Sequence, residues 1–151
     1  MAVRFDPLRV LEVAYSAEAD EAAWLRRIVS AFGPLDRGDG VLAASFRIQR
    51  DRMTHLEIAT TPTVLMPPPR ELRAFWLSSP APLVRAWFEP VPPVDTMLAR
   101  LRRTGASAAE RPADFTARMG GADMLAILAA DPAGHGVLVA LPSRSRVRLS
   151  P

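Results

Sequence analysis

The stretch from Ala122 to Ser143, ADMLAILAADPAGHGVLVALPS, constrains the fold more than any other part of this chain. Two apolar runs, Met124 to Ala130 and Gly136 to Leu141, flank Asp131-Pro132-Ala133-Gly134-His135. In that connection proline fixes φ and glycine admits positive φ, so the stretch reads as a β-hairpin. Neither run alternates apolar with polar residues, which predicts strands covered on both faces, at the middle of a sheet packed on two sides. Asp131 is expected to cap its own turn through its side chain, and His135 to be a solvated turn residue.

The chain of 151 residues is long enough for one domain around one core. No apolar run approaches the roughly 20 residues a membrane-spanning helix needs, and the N-terminus lacks the apolar segment of a signal peptide. The expected compartment is the cytoplasm, with no membrane partner. The absence of cysteine excludes disulfides and thiolate chemistry, and two histidines far apart in sequence argue against a histidine-rich metal site. All nineteen basic residues are arginine, yet the formal charge is only +3 and acids are interspersed. A solvated surface fits this pattern better than a nucleic-acid footprint.

Upstream of the hairpin, Asp6-Pro7 reads as an N-cap followed by the favoured first helical residue, opening a helix to about Tyr15. Ser16 is the expected cap of a second helix with the stripe Trp24, Leu25, Ile28, Val29 and Phe32, ending at Gly33-Pro34. Val41 to Gln49 alternates as a strand, with Leu42, Ala44, Phe46 and Ile48 on one face. Its other face, Val41, Ala43, Ser45 and Arg47, turns polar toward the end. Met53 to Thr60 is expected as a second strand, with Leu56 and Ile58 on one face and Met53, His55 and Glu57 on the other. Prolines between Pro62 and Pro93 exclude a strand interior and instead predict helices opened by Pro69, Pro82 and Pro93. Thr104 to Ala109 reads as a linker, Ser107 to Glu110 as a capping box, and Asp114 to Met119 as a short helix stopped by Gly120-Gly121. Arg146 to Leu149 alternates as a short edge strand would. Ser150-Pro151 has the form of a helix start, which predicts a chain cut between a folded domain and something downstream. The whole is an α+β domain over residues 1–143, one antiparallel sheet covered by helices on both faces, with 144–151 as an exit segment.

No catalytic set emerges. His55 and Glu57 share a strand face, as an acid/base pair could, but a half-exposed polar face explains them as well. The glycines match neither a dinucleotide fingerprint nor a phosphate loop, and no serine sits in a nucleophile elbow. No cofactor and no metal are expected. Phe75, Trp76, Trp87, Phe88, Met97 and Met119 concentrate between the strand pairs. With Phe46 and His55 from the strands, they are the candidate wall of an apolar ligand cavity, with ordinary core packing as the alternative.

The N-terminal pattern Asp6 to Tyr15 followed by Glu21 to Leu25, and the hairpin Asp123 to Val137, resemble the two ends of the sensor-type domain of LuxR-family helix-turn-helix transcriptional regulators. The resemblance covers most of the chain in order, and the middle, Thr61 to Ala113, matches mainly in spacing. It implies a GAF- or PAS-like fold, a non-catalytic role in signal transduction, a small-molecule ligand or protein partner, homodimerisation, and DNA contact only through a C-terminal domain outside these residues. Family likeness carries over no functional residue. A ligand-free dimerisation module is the alternative, and after it a small enzyme of the SnoaL or cyclase type with His55 and Glu57 facing inward.

Overall fold

The computed structural model describes residues 5–16, 20–63, 65–88, 92–104 and 121–149. It is an α+β arrangement built on one antiparallel sheet of five strands: β1 (Leu42–Gln49), β2 (Arg52–Thr60), β3 (Val94–Thr96), β4 (Asp123–Ala130) and β5 (His135–Ser143). Their spatial order is β2-β1-β5-β4-β3, so the expected hairpin supplies the central strand β5 and its neighbour β4. Helices α1 (Pro7–Ala14) and α2 (Glu21–Phe32) cover one face. The other face is covered by α3 (Pro69–Leu77), α4 (Ala81–Phe88) and Met97 of α5 (Met97–Thr104). This architecture is consistent with a GAF- or PAS-like fold.

Local chemistry explains the element boundaries. Asp6 accepts the Leu8 N–H at 3.0 Å and caps α1 as expected. The cap of α2 is Asp20, which accepts the Ala22 N–H at 3.1 Å, and not Ser16. Ser16 instead turns its hydroxyl back onto the Val13 carbonyl at 2.8 Å, finishing α1. Trp24 of α2 donates its indole N–H to the same carbonyl at 3.0 Å and ties the two helices together. Pro69 opens α3 as expected, and Pro82 lies in the first turn of α4. Pro93 does not open α5. Val94–Thr96 pairs with Leu125–Ile127 as the edge strand β3, and the Thr96 hydroxyl accepts the Ala99 N–H at 3.2 Å at the start of α5. A strand of three residues carries too little alternation to be read from sequence.

The β1–β2 hairpin turns through Arg50 and Asp51, both with positive φ. A bulge follows: Arg47 faces His55 while Ile48 faces Met53, which leaves Thr54 as the extra residue. The bulge rotates Met53 onto the face of Leu56 and Ile58, where it is buried, in contrast to the simple alternation expected for β2. Arg146 to Leu149 forms no strand. Its chain is held instead by the Val147 N–H on the Asp123 carboxylate at 2.9 Å and by Arg144 on Asp39 at 2.9 Å. Asp123, itself buried, also accepts the N–H groups of Met124 at 2.8 Å and Leu98 at 3.2 Å. The buried Arg100 binds the carbonyls of Trp87 at 3.3 Å and Pro92 at 2.9 Å, fastening α5 to the end of α4. Thr104, expected to open a linker running to Ala109, instead ends α5; the rest of that linker, the capping box Ser107 to Glu110, the short helix at 114–119 and the helix start at Ser150-Pro151 lie outside the described residues. Among the described residues, no helix is long and apolar enough to cross a membrane.

Candidate functional site

The alternation of β1 divides the domain into two unlike faces. Leu42, Ala44 and Phe46 point toward α3 and α4, joined there by Leu138, Ala140, Met124 and Leu128 from the hairpin. Of the eight candidate lining residues seven lie among the described ones, and six of these gather on this side: Phe46, Trp76, Trp87, Phe88 and Met97 are buried in one cluster, and Phe75 packs against it. Their rings form a continuous edge-to-face chain. Phe46 meets Phe88 at 4.8 Å, Phe88 meets Trp76 at 5.0 Å, and Trp76 meets Trp87 at 5.5 Å and Phe75 at 5.0 Å. The space left among them is about 30 Å³. That is room for about one water molecule, and a lining of leucine, alanine and aromatic side chains would leave such a water without polar partners.

His55, the seventh candidate, does not join them. The pairing that sets Leu56 opposite Phe46 turns His55 to the other face of the sheet, opposite Arg47. There its Nε2 lies 3.0 Å from Oε2 of Glu21, the first residue of α2, with both side chains about half exposed. Glu57 is bound separately, by Arg73 of α3. The acid/base pair considered from sequence is thus divided between two different partners, and Met119 lies outside the described residues.

The face toward α1 and α2 is apolar only in part. Val41, Ala43, Ala59, Val139 and Leu141 pack beneath Leu25, Ile28, Val29 and Phe32. α2 begins at Glu21, beside Ser45 and His55, and leaves the last rung of the sheet open. The result is a cleft of about 800 Å³ bordered by Glu21, Ser45, Arg47, His55, Asp131 and His135. Arg47 stands between the two histidines, paired with His55 across β2 and with His135 across β5. His135 is therefore the first residue of β5 as well as the end of the turn. Asp131 accepts its backbone N–H at 2.9 Å and has a carboxylate oxygen 3.4 Å from its Nδ1. These contacts, the backbone hydrogen bond foremost, hold the Asp131 carboxyl below its ordinary value.

Sequence reasoning did not assemble this rung, because the two histidines lie far apart in the chain and meet only through strand register. The usable signal was the outward face of β1 turning from valine and alanine to serine and arginine. Two glycines shape the same corner. Gly134 has φ +86 and passes so close to β1 that a Cβ there would lie 2.2 Å from the Ile48 carbonyl oxygen. A Cβ on Gly136 would lie 2.2 Å from the Phe46 ring. The described residues contain no group of three or more histidines and carboxylates placed to hold a metal ion. Compared with known proteins, the chain matches no family model and no curated sequence.

Proposed function

We propose that this chain is a non-catalytic regulatory domain, of the kind it resembles at the front of LuxR-type transcriptional regulators, and that it acts by pairing with a second copy rather than by enclosing a ligand in its core. The observation that carries this reading is the filled face: about 30 Å³ remains where a ligand pocket needs roughly 300 Å³ or more. A second copy has a surface suited to it. α1 and its C-cap turn Leu8, Leu11 and Tyr15 to solvent at 69%, 53% and 87% exposure, one apolar stripe spaced as a helix face requires. Arg9 and Glu12, both exposed, accompany that stripe, so two α1 helices packed antiparallel bring opposite charges together. Regulation through such a pair requires an effector with unequal affinity for its two arrangements. DNA contact belongs to a further domain outside these residues. His55 and Glu57 hold different partners and neither joins the aromatic cluster, which favours this reading over the enzyme alternative.

Sedimentation equilibrium over a broad concentration range tests the pairing. The expected result is a reversible dimer that Leu11→Glu converts to monomer without loss of folded structure. A monomer throughout, or a dimer indifferent to Leu11→Glu, overturns it. Fused ahead of a DNA-binding domain that occupies its operator only as a dimer, the chain is expected to restore occupancy in a Leu11-dependent way.

A further inference from the structure

The open rung of the sheet has a feature that pairing through α1 leaves unused. Arg47, His55 and His135 occupy directly opposed positions on three adjacent strands and share one face. Opposed side chains start roughly 5 Å apart, so the three nitrogen-bearing groups span roughly 10 Å. The outer two are each held by a carboxylate, His55 by Glu21 and His135 by Asp131. The central one is not: among the described residues, the Arg47 guanidinium has neither a hydrogen-bond nor an ion-pair partner.

The nearby carboxylates are already engaged. Glu21 accepts the Ser45 hydroxyl at 2.6 Å on one oxygen and meets His55 at 3.0 Å on the other. Asp131 accepts the His135 N–H on one oxygen and faces the His135 ring with the other. Because these contacts use His55 Nε2 and His135 Nδ1, the remaining ring nitrogens, Nδ1 of His55 and Nε2 of His135, have no partner among the described residues. The row opens into the 800 Å³ cleft, where Val137 and Ala129 supply apolar surface beside it.

We propose that this cleft binds a small organic monocarboxylate, its carboxylate forked by Arg47 between the two imidazoles and its apolar remainder lying over Val137 and Ala129. A guanidinium presents two parallel N–H donors at the spacing of a carboxylate, and the pair is stronger than a neutral hydrogen bond. Glu21 and Asp131 at the two ends of the row repel additional negative charge, which selects one carboxylate over a dianion or a multiply charged phosphate. The site does not depend on pairing through α1, so either can fail alone.

The test is a titration of the isotope-labelled chain with benzoate at constant ionic strength, followed by nuclear magnetic resonance at the Arg47 Nε–H and both imidazoles. Saturable shifts confined to the cleft are expected, with binding weakened about tenfold or more in Arg47→Gln, as loss of a charge-assisted pair implies. Arg47 is exposed, so its substitution leaves the fold in place, and His135→Gln provides a second variant with a smaller expected loss. Shifts that rise linearly without saturation, or that persist unchanged in Arg47→Gln, overturn the site. Inorganic phosphate binding as tightly as benzoate overturns its assignment to monocarboxylates.

Discussion

The two faces of this sheet are made by the same strands and yet are finished differently. Toward α3 and α4 the central rungs end in apolar side chains, and interlocked rings close the layer to about 30 Å³. Toward α2 the apolar rungs stop at Ala43 and Val139, and the next positions are Ser45 and then Arg47 between two histidines. A helix placed over the first face excludes water. α2 stops short of the last rung of the second and leaves polar chemistry in a cleft. The comparison separates stability from recognition: the closed face carries most of the burial, and the open rung carries groups that water and solutes can reach.

The largest break in this comparison comes from the closed face. Trp76→Ala removes the ring that touches Phe75, Trp87 and Phe88, and is expected to cost about 3–5 kcal/mol, read from urea or thermal unfolding. If the loss falls below about 1 kcal/mol, the face is looser than its geometry implies. Gly136→Ala tests the seam between the faces, since the new methyl meets the Phe46 ring from β5. A cost of about 1–3 kcal/mol is expected, measured in the same way, with the Phe46 and Phe88 resonances displaced. The smallest effect belongs to the open rung. Asp131 has its carboxyl held below the ordinary carboxylate range and sits half exposed in the β4–β5 turn. A lowered folded-state value means that the carboxylate stabilises the turn above its unfolded value, and that this contribution fades as pH falls through the folded one. The protection of the His135 amide against exchange, relative to its intrinsic rate at each pH, is therefore expected to fall below about pH 4, while Asp131→Asn removes the pH dependence of that protection.

Much of the fold was legible because it rests on short-range chemistry. The alternation of β1, the turn at Asp131 to His135 and the capping of α1 by Asp6 each depend on residues close in sequence. Asp20 displaced Ser16 as a cap because both are good caps only a few residues apart, and the Val13 carbonyl offered Ser16 another bond. The face of Met53 was not legible, since an extra residue at Thr54 shifts the period without any glycine or proline to mark it. β3 was too short to alternate. The candidate wall was legible as a set of large apolar residues, but whether such residues line a cavity or fill it depends on how their rings interlock. His55 was separated from them by strand register, and the rung it shares with Arg47 and His135 by pairings between distant parts of the chain.

The latch at Asp123 has a consequence for how the chain leaves the sheet. Its carboxylate holds the main-chain N–H of Val147, so the hold depends on the peptide bond and not on the side chain that follows. Any residue except proline at that position can keep it. The amino acid at position 147 is therefore free to vary while the path of the chain there stays fixed by a residue on β4.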